Sequence, residues 1–190
     1  MVDIENDIKE CIRVMSAGGT ILYPTDTVWG IGCDALNEAA AERVFELKQR
    51  PKEKSLIILL ADARDILEYV AAPPPDIIAM VEAFDRPTTV IYNNALGFPP
   101  NVVNADGSIA IRVTTDPFCK ALIKRFRKPI VSTSANVSGT PTAPVFPMID
   151  HKIVAGAGYV VHHRRNDLVV AAPSRIIKMD DDGNITIIRD

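Results

Sequence analysis

The sequence predicts an α/β domain built on one mixed β-sheet with flanking helices, and three observations carry that expectation. Segments with helical apolar spacing alternate with short extended ones along the chain. The run at 55–60 is of strand length and almost wholly apolar, the pattern of a buried central strand. The tail holds a series of short β candidates, an order that fits a mixed sheet and not a strictly repeating βαβ barrel. A chain of 190 residues makes one domain, 1–190, whose core needs no disulfide staples.

The elements follow in order. Ile4, Ile8, Cys11, Ile12 and Met15 recur at helical spacing, and Gly18-Gly19 stops that helix. Residues 20–23 read as a strand ended by Pro24. Asn37 is the expected N-cap of a helix through Val44, Phe45 and Leu47, stopped by Pro51. The strand at 55–60 follows, and Asp62 with Asp65 opens a short helix. Pro73-Pro74-Pro75 interrupts the chain before a helix at 76–84. A strand at 88–92, a long loop at 95–107 and an alternating strand at 108–113 come next. Asp116 caps a helix with Pro117 at its first position. A strand at 129–133 runs into a Ser/Thr/Gly/Pro-rich loop at 132–144. The β-rich tail, 145–190, has strand candidates at 159–163, 168–171, 175–179 and 185–188, and the Asp180-Asp181-Asp182-Gly183-Asn184 stretch reads as a hairpin turn.

Composition bounds the function. Lysine and arginine number 21 against 24 aspartates and glutamates, a formal net charge of −3, which argues against wholesale polyanion wrapping. The three cysteines, Cys11, Cys33 and Cys119, form no CxxC pair and read as reduced thiols. The acidic N-terminus has no apolar core of a signal peptide, and the apolar run at 56–61 is far too short to span a bilayer. A cytoplasmic protein with no membrane association is expected.

Two strand-to-loop junctions carry candidate chemistry. In Tyr23-Pro24-Thr25-Asp26-Thr27-Val28-Trp29-Gly30-Ile31-Gly32 a strand runs into hydroxyls, a carboxylate and glycines, which suit a small polar ligand or simply close a turn. In Ser132-Thr133-Ser134-Ala135-Asn136-Val137-Ser138-Gly139-Thr140-Pro141-Thr142, hydroxyls and an amide follow a β-branched strand, a composition suited to phosphate oxygens or to a solvated loop. Neither a dinucleotide fingerprint nor a P-loop is present. Lys48 and Arg50 end the Asn37 helix, where they either cap it or clamp an anion. Arg112 ends an otherwise apolar strand and needs a partner or a ligand. The basic run at 124–128 is the best candidate for an RNA contact, although such runs are usually a solvated face. His162-His163 would point to opposite sides of a strand and so not share a metal.

These blocks resemble one family. Residues 19–32 are similar to its N-terminal signature, Lys48-Gln49-Arg50-Pro51 to its KxR motif, and Ser132-Thr133-Ser134-Ala135-Asn136 with Ser138-Gly139 to its SxN motif. Ser108-Ile109-Ala110-Ile111-Arg112-Val113 resembles a fourth block, and Pro173-Ser174 a weaker fifth. The family is the YrdC/Sua5 group of threonylcarbamoyl-AMP synthases, and the motif-bearing region is about 18–144.

The resemblance implies a twisted, open mixed sheet around a large concave, positively lined cavity. It implies condensation of L-threonine, bicarbonate and ATP into threonylcarbamoyl-adenylate and pyrophosphate, with Mg2+ on the ATP phosphates and no protein-ligated metal. A downstream tRNA threonylcarbamoyl transferase would then modify adenosine 37. Carried over by position, Thr27 would contact threonine, and Arg112 and Ser134 would hold threonine or its carbamate. Arg50, Lys54, Ser108, Ser132, Thr142 and Ser174 would line the nucleotide side, while Lys48 and Asn136 complete the two motif pairs and, with Arg50 and Ser134, are the catalytic candidates. The chain departs from the family's Pro-Gly-Pro-x-Thr turn, with Asp85-Arg86-Pro87-Thr88-Thr89 in its place. It has Leu59 where long members have a histidine, and it matches the short, single-domain form. The alternative function is an RNA-binding module of the same fold, with tRNA, rRNA or double-stranded RNA as partner; a change of substrate within the fold, to one such as carbamoyl phosphate, is a third.

Overall fold

The structure is a computed structural model and describes residues 4–51 and 56–190. Nine strands form one mixed sheet: β1 (Ile21–Tyr23), β2 (Gly30–Gly32), β3 (Ile57–Leu60), β4 (Thr88–Tyr92), β5 (Ile109–Val113), β6 (Ile130–Ser134), β7 (Tyr159–Val160), β8 (Arg175–Met179) and β9 (Ile185–Arg189). Their order is β7-β1-β2-β6-β3-β5-β4-β8-β9. The pairs β7–β1, β3–β5 and β4–β8 are parallel and the other five antiparallel. The six helices among the described residues are α1 (Ile4–Ser16), α2 (Glu38–Lys48), α3 (Ile66–Tyr69), α4 (Ile77–Glu82), α5 (Pro117–Phe126) and α6 (His151–Gly156). None of them is long and apolar enough to cross a membrane.

Local chemistry explains most boundaries. The Asn37 side chain accepts from the Ala40 amide and that of Asp116 from the Cys119 amide, so both expected caps form. Pro117 opens α5 without losing a helical hydrogen bond. The hairpin between β8 and β9 turns at Gly183, φ 83°, whose amide bonds the Asp180 carbonyl at 3.1 Å. Four readings need correction. Gly30-Ile31-Gly32 is a strand, not an open glycine loop: a side chain on Gly32 would lie 2.6 Å from the Val131 carbonyl oxygen and 2.7 Å from the Tyr23 ring. The strand expected at 129–133 runs one residue further, so Ser134 as well as Ser132 and Thr133 belongs to β6 and the hydroxyl-rich loop starts after it. The segment 168–171 forms no strand and pairs with neither sheet edge, and Leu168, Val169 and Val170 lie exposed. Helix α6 lies in a stretch read as tail β structure.

The strand pleat divides the sheet into two chemistries. Ile58, Val90, Ile111 and Val131 point to one face and are at most 1% exposed. Helix α5 packs against β3 and α1 against α5, burying Ile8, Cys11 and Met15 of α1. Each fully buried side chain of this kind contributes roughly 1.5–3 kcal/mol. The alternate residues of the same strands face away from this core and include Arg112, Ser132 and Ser134. Cys11, Cys33 and Cys119 are all buried, unpaired thiols.

Candidate active site

The second face of the sheet forms the floor of a cleft of about 450 Å³. That volume lies within the usual range of small-molecule sites, about 300–1,000 Å³. Of the residues singled out in the sequence, Thr27, Arg50, Arg112, Ser132, Ser134, Thr142 and Ser174 all line it. They come from five separate stretches of chain, and the pleat and register of the sheet bring them together. Ser132 pairs with Ile57 and Ile57 with Ala110, so β6, β3 and β5 present one continuous row.

One end of the cleft is a buried ionic cluster. Arg112, 4% exposed, donates from Nη1 to Thr27 Oγ1 at 3.1 Å and lies 3.3 Å from Asp26 Oδ1 through Nη2. The other Asp26 oxygen accepts from Thr114 Oγ1 at 3.2 Å and the Thr115 amide at 3.3 Å. Thr25 Oγ1 donates to the Val28 carbonyl at 2.8 Å and accepts from the Thr27 amide at 3.0 Å. The Thr25 and Thr27 hydroxyls are 3.0 Å apart. Since Thr25 spends its proton on Val28, Thr27 donates to Thr25, and its remaining capacity is that of an acceptor. Arg112 Nε is buried with no hydrogen-bond partner. This end therefore sets a guanidinium and a hydroxyl side by side on the cleft wall. Such a pair reads a carboxylate next to an amine or hydroxyl.

The KxR pair splits. Lys48 is 1% exposed and is not among the lining residues. Its Nζ donates to the Ser134 carbonyl and, at 2.7 Å, to the Asn136 carbonyl, while the Ser138 amide donates back to the Lys48 carbonyl at 2.7 Å. The expected phosphate clamp is thus a buried pin that fastens the loop after β6 to the end of α2. Gln49 is the reason: it adopts a left-handed conformation, φ 50°, so the chain reverses between Lys48, which turns inward, and Arg50, which reaches the cleft. Burial, reinforced by the Arg50 charge, lowers the Lys48 pKa to about 7. Burial lowers that of Arg50 as well, but a guanidinium stays protonated.

Asn136 acts within its loop, donating from Nδ2 to the carbonyls of Val137 and Thr140 at 3.0 and 2.7 Å. Ser108 is buried away from the cleft, its hydroxyl donated to Asp106 at 2.6 Å. Lys54 lies outside the described residues. Two polar lining residues escaped sequence reading. Thr89 on β4 bonds its hydroxyl to that of Ser174 at 2.9 Å, and Arg189 on β9 donates to the Ser174 carbonyl at 2.7 Å. The alternation of β4 carries the signal for Thr89. Arg189 enters only through the β8–β9 hairpin. Among the described residues no group of three His, Cys, Asp or Glu side chains is placed to hold a metal ion.

Other signals resolve as structure. In the basic run, Arg125 makes a bidentate pair with Glu5 at 2.5 and 2.9 Å, and Lys128 pairs with Asp34 at 2.6 Å. The altered turn still feeds β4, since the Arg175 amide bonds the Pro87 carbonyl at 3.0 Å and Thr88 Oγ1 bonds the Arg86 carbonyl at 2.9 Å. His162 binds Asp7 and His163 stacks on Phe118, so the two histidines do diverge.

The comparisons with known proteins agree with this fold. The profile of the Sua5/YciO/YrdC family, described as Telomere recombination, matches residues 13–190. A threonylcarbamoyl-AMP synthase of Pseudoalteromonas translucida is 36% identical over 160 residues, 83% of this chain and 86% of the relative. A structure of P. abyssi Sua5 complexed with L-threonine superposes with a TM-score of 0.86 at 21% identity; the match covers all of this chain and 55% of that longer one. Escherichia coli YciO gives 0.84 at 20% identity over 99% of this chain and 90% of its own. The two superpositions establish the fold, and the profile, spanning all but the first turns of α1, places the chain in the Sua5/YciO/YrdC family.

Proposed function

We propose that the chain is an L-threonylcarbamoyladenylate synthase, a nucleotidyl-transferring enzyme that joins L-threonine, bicarbonate and ATP. The observation that carries this reading is the Arg112–Thr27 pair: a guanidinium bonded to a hydroxyl on the wall of the cleft. It suits the carboxylate of an amino acid with an amine or hydroxyl alongside. The curated relatives that bear the synthase name support the same reading. Arg50 and the hydroxyls of Ser132, Ser134 and Thr142 then suit the triphosphate, and Ser174 with Thr89 lines the cleft on the β4 side of Arg112.

Two condensations follow. The threonine nitrogen, as the neutral amine, forms a bond to the bicarbonate carbon and water leaves. A carbamate oxygen next attacks the α-phosphorus, and the bond from that phosphorus to pyrophosphate breaks. Both partners in the second step are anions, so their encounter is opposed by repulsion that Arg50 and Arg112 offset. Orientation along the sheet supplies the rest, and no covalent enzyme intermediate is needed. Among the described residues the lining includes no carboxylate, so Mg2+ would be carried by the ATP phosphates. The adenylate product would pass to a transferase acting on tRNA.

The test is incubation of the protein with the three substrates, followed by mass spectrometry for an AMP-linked threonine adduct. Pyrophosphate release that needs threonine and bicarbonate together, without RNA, is the expected result. Steady ATP turnover with threonine omitted overturns the reading. Serine should be used less well by a modest factor, since one buried methyl is worth about 1 kcal/mol.

A further inference from the structure

We propose that Arg164 is a positioning residue for the amino-acid end of the cleft, closing a ring of polar groups whose inner face is Thr27 and Arg112; the inference rests on the threonine reading of that end. Arg164 does not line the cleft. Its Nη2 lies 2.6 Å from Asp116 Oδ2, and its Nη1 donates to the Thr25 carbonyl at 3.4 Å. From Thr25 the ring passes through its hydroxyl to Thr27, then to Arg112 and Asp26. From Asp26 it returns through Thr114, whose hydroxyl accepts from the Asp116 amide at 3.2 Å. Arg164 is where the two arms meet.

Three further observations show that this arrangement is built into the fold. Arg164 sits at φ 64°, a left-handed conformation that residues with a β-carbon adopt only at a cost. The turn carrying it is nailed to α1 by Asp7, 1% exposed, which accepts from the His162 and His163 amides at 3.0 and 2.9 Å. Asp116 is itself 6% exposed and caps α5 through its other oxygen, so Arg164 is the countercharge of a buried carboxylate. The ring holds two arginines and two aspartates and is neutral. Removing Arg164 leaves it with a net negative charge beside the site for a carboxylate, and frees the Thr25 end of the loop.

The experiment is calorimetric binding of L-threonine and, separately, of ATP to the full chain and its variants, with melting temperature measured alongside. Arg164→Met keeps the aliphatic stem and should weaken threonine binding about tenfold, a single charge-assisted contact's worth, with ATP binding unchanged. Arg164→Lys, which keeps the charge, should recover most of the loss. Should Arg164→Met fail to fold, the double variant Asp116→Asn with Arg164→Met removes the orphaned carboxylate and keeps an N-cap. It should still bind threonine several-fold more weakly, because the Thr25 contact stays lost. Threonine affinity unchanged in whichever of these variants folds overturns the proposal, as does an equal loss for threonine and ATP. Wild-type protein that binds ATP but no threonine overturns instead the reading of the site on which the proposal rests.

Discussion

At one end of the cleft Arg112, Asp26 and Thr27 reach one another through side-chain contacts drawn from β5 and the loop between β1 and β2. At the other, Ser132, Ser134 and Thr142 belong to one strand and its following loop, which Lys48 fastens through backbone carbonyls. The first end is ordered by charges that balance each other, so a single neutralisation there leaves a buried ion unpaired. The second is ordered through the main chain, so a single side chain can be lost from its lining without disturbing the rest, whereas losing the pin disturbs all of it. The difference teaches where each substrate's affinity should be fragile.

The largest effect should come from Arg112→Gln. It removes the contact proposed to hold the substrate and leaves Asp26 buried without its cation, a change that costs about 3–5 kcal/mol where pairs are fully buried. Threonine-dependent kcat/KM should fall 100-fold or more, at about 1.4 kcal/mol per tenfold, with a clear drop in melting temperature. A variant with normal threonine KM and an impaired ATP KM breaks the assignment of the two ends.

Lys48→Met tests the other end. It orphans the Ser134 and Asn136 carbonyls, at about 1–3 kcal/mol each, and loosens the loop. We expect ATP-dependent kcat/KM to fall roughly 10- to 100-fold while threonine affinity in a binding assay changes little. The same variant isolates a pH effect. With its pKa lowered to about 7 in the folded state, against an ordinary 10.5, Lys48 binds fewer protons folded than unfolded between those values. Wild-type stability should therefore rise relative to Lys48→Met as pH increases from 7 toward 10, because the cost of burying the cation is fully present below pH 7 and is relieved above it. Parallel pH–stability curves for the two proteins would remove the buried-cation account.

A smaller effect is expected for Arg50→Lys. The charge stays and the fork is lost, so kcat/KM for ATP should fall about tenfold with melting temperature unchanged. Smallest is the joint replacement of Lys124, Arg125, Arg127 and Lys128 by Gln. None of the four lines the cleft, so adduct formation should stay within about threefold; the exposed Arg125–Glu5 pair is worth little, while loss of Lys128 from buried Asp34 should lower the melting temperature. Lost turnover in this variant, still folded, would put the active site elsewhere.

Lys48 and Arg50 mark the limit of what was legible. Their spacing placed both at the end of α2, and the helix dipole gave both the same role. One left-handed residue, Gln49, sends them to opposite sides, and nothing in the local sequence marks a glutamine for that conformation. The glycines of β2 misled in a similar way. Gly32 is there because Tyr23 and the β6 backbone leave no room for a side chain, a fact of tertiary packing that a ligand loop would mimic in sequence.

Local order was enough for the caps of α2 and α5, the β4 and β8 strands, the buried central strand and the need of Arg112 for a partner, which Asp26 meets. Each of these depends on contacts within a few residues or on the pleat period, which are written in local order. That Ser132, Ala110 and Ile57 form one row, that Arg189 arrives from the last strand, and that Arg164 closes a ring through Thr25 and Asp116 came with the folded sheet alone. Those pairings join residues tens of positions apart through register and burial. Local propensity carries no information about register, and burial is settled only when the whole sheet has formed.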